Sequence, residues 1–176
     1  MQELSNVDSV LDQMAHGLEQ LFRQKQVTAP LIIGIRTGGV WIAEALQRRL
    51  NVTEPCGVLD ISFYRDDFER IGLNPQVQPS ALPVDTENRH ILLVDDVIMS
   101  GRTIRAAMNE IFDYGRPAGI TLAALVDLGS RELPIQPDLV GRRLALAEGQ
   151  RVKLLGPEPL RLEVRERGAS KRGLQR

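Results

Sequence analysis

The sequence predicts an α/β domain on a mainly parallel sheet flanked by helices, and three observations carry that expectation. Four apolar runs, "LIIGI" (31–35), "CGVLDIS" (56–62), "HILLVD" (90–95) and "GITLAALVD" (119–127), are continuous rather than alternating, as strands buried on both faces are. Two of them lead through glycine-containing turns, "RTGG" and "MSGRT", into helical patterns, the second ending near Gly115. Ahead of them, Val7, Val10, Leu11, Met14, Leu18, Leu21 and Phe22 recur at three- and four-residue intervals. That spacing is the apolar stripe of an amphipathic helix, with Ser5 or Asn6 available as its cap. Strand and helix signals that alternate in this way point to parallel pairing.

Composition bounds the rest. A chain of 176 residues with 43% hydrophobic content can bury one core, and no shift in composition marks a second domain. The lone Cys56 cannot form an internal disulfide, and no apolar run approaches the length that crosses a bilayer, so the expected location is the cytoplasm, with no membrane partner. Net charge is -1 but uneven: residues 161–176 carry six Arg/Lys against Glu163 and Glu166, or +4, leaving -5 for residues 1–160. The expected organisation is a domain over 1–164 and a basic, solvated C-terminal tail over 165–176. Between the second and third runs, the stretch over 68–88 contains Pro75, Pro79 and Pro83 and is too long for an ordinary connection; it reads as a mobile lid.

The chemistry concentrates in "HILLVDDVIMSGRT", where an apolar run meets Asp95 and Asp96 and then a small-residue turn. A strand that feeds a helix through such a turn offers unpaired backbone N–H groups and a favourable dipole to an anion. Ser100 and Thr103 add hydroxyls, and Gly101 permits close approach of the backbone, so a phosphate suits this turn. Two carboxylates facing the same phosphate would repel it. Ribose hydroxyls, or a Mg²⁺ ion held through them, suit these acceptors instead. A receiver domain also carries paired acids, but at its first strand. The glycine patterns of dinucleotide-binding turns and P-loops are absent.

"ILLVDDVIMSGRT" resembles the phosphoribosyl pyrophosphate motif of type I phosphoribosyltransferases, and "DISFYRDD", "GRPAGITLAALVD" and "RELPIQPDLVG" are similar to the PyrR family, pyrimidine-operon regulators that are also uracil phosphoribosyltransferases. The resemblance runs from about residue 6 to 155. It implies that Asp95 and Asp96 hold the ribose hydroxyls and, through them, Mg²⁺, and that Met99, Ser100, Gly101, Arg102 and Thr103 bind the 5′-phosphate. It also implies that Arg36, Thr37, Gly38 and Gly39 form the pyrophosphate loop, with Arg65 approaching the pyrophosphate; a salt bridge from Arg65 to Asp66 or Asp67 is the alternative. The base pocket falls on Asp127, Gly129, Ser130 and Arg131, which could equally form a plain surface turn. Substrates are then uracil and phosphoribosyl pyrophosphate, and products UMP and diphosphate. Purine-type enzymes usually carry an Asp where this chain has Met99, which disfavours hypoxanthine. Relatives usually show Thr-Arg-Gly where this chain has Thr37, Gly38 and Gly39, so one cation is missing from the loop.

The family resemblance further implies a homodimer or homotetramer and UMP-responsive binding of an mRNA leader. That RNA surface falls on His16, Arg142 and Arg143. Here the chain departs from its relatives: Asp12 and Gln13 stand where Thr-Arg is common, and "LALAEGQ" replaces a usual Pro-Thr-Ser turn. RNA binding is therefore expected to be weak or to depend on the tail. A non-catalytic attenuator that senses UMP in the same pocket is the alternative from a different class.

Overall fold

The computed structural model describes residues 2–4 (backbone alone), 6–61, 82 and 85–166. The expected lid over 68–88 lies largely outside the described residues, as do Arg65 and residues 167–176 of the tail. Strand β1 (Gln2–Leu4) precedes helix α1 (Val7–Lys25), which is followed by β2 (Leu31–Ile35), α2 (Gly38–Arg49) and β3 (Gly57–Leu59). Then come β4 (His90–Ile98), α3 (Arg102–Asp113), β5 (Gly119–Asp127), β6 (Leu139–Arg143), β7 (Gln150–Leu155) and β8 (Arg161–Glu166). Asn6 caps α1, its side chain accepting from the N–H groups of Asp8 and Ser9 at 3.0 and 3.4 Å; such caps contribute about 1 kcal/mol.

Five strands form a parallel sheet in the order β3-β2-β4-β5-β6. Side-chain alternation divides its residues between two cores. Ile32, Leu92, Val94, Ala123 and Leu125 pack against α1 and α2, whereas Leu31, Ile33, Ile35, Leu93 and Ala124 pack against α3. Both faces are thus covered, which is why the strands read as continuous apolar runs. Helix α2 follows β2 onto one face and α3 follows β4 onto the other, while β3 lies beyond β2 and β5 beyond β4. The chain therefore reverses its winding between β2 and β4. In open parallel sheets the crevice beyond the carboxyl ends of such a strand pair is where ligands bind.

Three boundaries differ from the sequence-based expectation. Strand β4 runs past Asp95 to Ile98 because β5 continues alongside it, pairing Val97 with Val126 and Ile98 with Asp127. Helix α2 begins at Gly38 rather than after the "RTGG" turn, its two glycines buried against β4. Finally, β1, β8 and β7 form a separate antiparallel sheet, in which Arg165 pairs with Arg151 and Glu166 with Gln150. Leu154 and Leu162 of this sheet join the α1–α2 core. Arg165 bonds Glu163 through Nε at 2.9 Å and Nη2 at 2.7 Å, so the described strand passes two residues beyond the boundary expected at 164. Among the described residues no helix is long and apolar enough to cross a membrane.

Candidate active site

The crevice between β2 and β4 is where the two glycine turns and the paired carboxylates come together. Pairing of β2 with β4 reaches Gly34 and Val94, so Asp95 is the first β4 residue past it. Asp95 is only 3% exposed, and its Oδ1 accepts the N–H of Asp96 at 2.9 Å; Oδ1 of Asp96 accepts the N–H of Val97 at 3.0 Å. Each carboxylate accepts from the next backbone amide, an arrangement that fixes the direction of the accepting oxygen. Among the described residues no group of three or more His, Cys, Asp or Glu side chains is spaced to hold a metal. The donor set fits an ion held through substrate hydroxyls better than a protein cage.

The turn after β2 closes onto these carboxylates. A Cβ at Gly39 would lie 2.7 Å from the Val94 carbonyl oxygen and 3.2 Å from Asp95 Cα, and one at Gly38 would overlap the Asp96 carboxylate. That the glycines of one turn make room for the acids of the other is a long-range contact with no local sequence signal. Thr37 is the exposed residue at the head of α2 and makes no side-chain cap bond. Arg36 donates its N–H to the Leu59 carbonyl at 2.9 Å, and its guanidinium lies 3.6 Å from Asp60, whose side chain is 6% exposed. Asp60, to which the resemblance assigns no role, stands just past β3 at the same sheet end as Asp95.

On the other side of Asp95 and Asp96, residues 99–103 form the turn into α3. Gly101 occupies the helix N-cap position with φ +91°, a conformation that favours glycine, and Ser100 is buried with Oγ accepting the Arg102 N–H at 3.2 Å. The N-terminal amides of α3 are thus turned toward the carboxyl end of β4. Valine at Gly101 would add backbone strain of about 1–3 kcal/mol and place a Cβ 3.4 Å from that of Ile135. UMP affinity of Gly101→Val is expected to fall about tenfold. Unchanged affinity by titration calorimetry would count against a phosphate cradle at this turn.

In the segment expected to form the base pocket, the Asp127 and Arg131 side chains are bonded to each other. Asp127, 2% exposed, takes Nη1 and Nη2 of Arg131 on its two oxygens, each at 2.9 Å, and also accepts the Gly129 N–H at 2.8 Å. Burial pushes the Asp127 carboxyl up, but the Arg131 bonds, the Gly129 amide and Arg143 at 3.4 Å outweigh it and hold the group ionised below its usual range. Gly129 and Ser130 remain exposed, Gly129 at φ +72° with open space where a Cβ would be. His90 is remote from all of this: it starts β4, five residues or about 16 Å before Asp95 at a strand's usual rise. Its Nε2 lies 2.8 Å from Thr121 Oγ1, its ring meets Phe22 edge-on, and burial lowers its pKa, with Lys25 adding to that and Asp138 opposing it.

Residues 2–145 match the model of the phosphoribosyl transferase domain family. The chain is 57% identical over 160 residues to the bifunctional protein PyrR of Pseudomonas aeruginosa, covering 91% of this chain and 94% of that one. The chain belongs to the PyrR family of type I phosphoribosyltransferases. A second bifunctional PyrR, from Pseudomonas fluorescens strain Pf-5, is 55% identical over 163 residues, covering 93% and 97% of the two chains. Among solved structures, the fold resembles the hypoxanthine phosphoribosyltransferase of Trypanosoma cruzi, with TM-score 0.60 and 20% identity over 78% of this chain and 77% of that one. A hypoxanthine phosphoribosyltransferase from Staphylococcus aureus gives TM-score 0.62 at 17% identity, covering 82% and 78%. At those identities the likeness concerns the fold alone. Placed on the family's fold, the PyrR-like segments "GRPAGITLAALVD" and "RELPIQPDLVG" form β5 and the stretch that leads into β6.

Proposed function

We propose that this chain transfers ribose 5-phosphate from phosphoribosyl pyrophosphate to N1 of uracil, giving UMP and diphosphate, and that it retains a PyrR-like regulatory role weakened toward RNA. The observation that carries the catalytic reading is the meeting of Asp95 and Asp96 with two glycine turns at the point where the winding of the sheet reverses. Asp95 and Asp96 accept the ribose hydroxyls, the amides at the start of α3 and the Ser100–Thr103 turn take the 5′-phosphate, and the amides of residues 37–39 face the leaving group. As the bond from C1′ to pyrophosphate breaks, the ribose gains oxocarbenium character and the leaving oxygens gain charge, which preoriented N–H donors stabilise. Uracil N1 forms the new bond and its proton is lost. Neither His16, exposed on α1, nor His90, at the far end of β4, is placed to take it. A Mg²⁺ ion bound with the substrate would neutralise pyrophosphate charge, and Asp95 and Asp96 would hold it through the ribose hydroxyls. The test is to offer phosphoribosyl pyrophosphate and Mg²⁺ with each nucleobase in turn. UMP formed from uracil is expected, and IMP formed from hypoxanthine at a higher kcat/KM would replace this reading.

The regulatory reading is qualified by what surrounds the expected RNA surface. Helix α1 packs on β6, where a Cβ at Gly141 would lie 2.8 Å from Met14 Sδ, so the helix that carries His16 adjoins the strand that carries exposed Arg142 and Arg143. On the same helix Asp12 receives Arg49 Nε at 2.8 Å and Asp8 receives Arg49 Nη2 at 3.2 Å, two carboxylates on one guanidinium. An added anion in a phosphate-binding surface is costly, since phosphate contacts supply much of RNA affinity. Because β8 includes Arg165 and Glu166, the informative truncation removes residues 167–176. Gel-shift titration with a pyrimidine-operon leader at physiological salt is expected to give weak binding that this truncation weakens further. Tight, UMP-enhanced binding by the truncated protein would contradict it.

A further inference from the structure

We infer that Arg131 is a positioning residue that couples the base side of the site to its phosphate side while touching neither ligand. The inference deepens the proposed function and rests on its placement of the phosphate at 99–103 and the base beside 127–131. Four hydrogen bonds define the role. Arg131 Nη1 donates to the Met99 carbonyl at 2.9 Å and to Asp127 Oδ1 at 2.9 Å, Nη2 donates to Asp127 Oδ2 at 2.9 Å, and Nε donates to the Ile135 carbonyl at 2.7 Å. An arginine has five N–H donors in a fixed planar fork, so four bonds leave little with which to read a base. The side chain is 16% exposed and its carboxylate partner 2%.

What the fork joins is more telling than its saturation. Met99 opens the phosphate turn, Asp127 ends β5, and Ile135 lies on the segment that returns toward β6. Two backbone bonds run parallel to this link, from the N–H groups of Glu132 and Leu133 to the Ser100 carbonyl at 2.9 and 3.1 Å. Those bonds and the Ser100–Arg102 contact would keep the phosphate turn formed without Arg131. The direction in which Gly129 presents its backbone to a base is set by Asp127, which accepts the Gly129 N–H at 2.8 Å, and Asp127 is aimed by Arg131 against Met99. With the guanidinium gone, the phosphate subsite survives but no longer aims the carboxylate that holds Gly129.

The experiment compares titrations of UMP and ribose 5-phosphate into the parent protein, Arg131→Met and Arg131→Lys. The expected outcome for Arg131→Met is a ribose 5-phosphate affinity within about threefold of the parent and a UMP affinity reduced about tenfold or more, one hydrogen-bonded link's worth. Lysine can reach Asp127 but cannot span all three partners, so Arg131→Lys is expected to recover part of the UMP affinity. Should Arg131→Met not fold, Asp127→Asn tests the same link from its other end, since it keeps shape and loses charge; a lowered UMP to ribose 5-phosphate affinity ratio is again expected. A ratio within twofold of the parent in the folded variant overturns the coupling role alone. A parent protein that binds neither ligand overturns the reading of the site and this inference with it.

Discussion

Converting Asp95 and Asp96 together to asparagine is expected to slow UMP formation by about a thousandfold and to leave the sheet intact. Each carboxylate already serves the fold in a way that asparagine can copy. Asp95 Oδ1 accepts the Asp96 amide and Asp96 Oδ1 accepts the Val97 amide, and a side-chain amide oxygen can take the same bonds. What asparagine cannot copy is the negative charge and the full acceptor capacity toward two ribose hydroxyls and a cation beyond them. The double variant should therefore melt within a few degrees of the parent while its steady-state rate collapses. Transfer at the parent rate would remove both carboxylates from the site.

The second large effect is expected at Gly39, and its neighbour provides the contrast. Alanine at 39 would bring a Cβ to 2.7 Å from the Val94 carbonyl oxygen and 3.2 Å from Asp95 Cα, both backbone atoms of a buried strand that cannot give way. The turn after β2 must move, and a displacement of about 1 Å in a site that relies on positioning can cost about a hundredfold in rate. Overpacking should also cost about 1–3 kcal/mol of stability. The atoms nearest a Cβ at 38 belong to the Asp96 side chain, which can shift where backbone cannot, at some cost to its bond from the Val97 amide. Gly38→Ala is accordingly expected to lose activity, through Asp96, but less than Gly39→Ala. Steady-state kinetics on the two variants separates the cases: equal losses at 38 and 39 would mean that backbone contact between the turns does not set the geometry.

The local part of this arrangement was legible in the sequence. The adjacent acids, the small-residue turn and the helix behind it lie together in sequence, so local pattern alone placed Asp95, Asp96 and residues 99–103 on one functional unit. Long-range contacts were not legible. Nothing in "RTGG" shows that Gly39 must clear the Val94 carbonyl, and nothing in "DLGSR" shows that Arg131 spends its donors on Asp127, Met99 and Ile135. The small antiparallel sheet escaped notice for a related reason. "QRVKLL" and "RLEVRE" mix charged with apolar residues over six positions each, and β1, which pairs with β8, lies at the opposite end of the chain.

The central claim is that Asp95 and Asp96 grip the ribose while the start of α3 holds the 5′-phosphate. A crystal structure of the protein with UMP bound tests it directly. The account predicts ribose hydroxyls at about 2.5–3.0 Å from the carboxylate oxygens of Asp95 and Asp96, with the phosphate on the backbone amides of residues 101–103. A ribose bound elsewhere, with both carboxylates bonded only to protein groups, would contradict it.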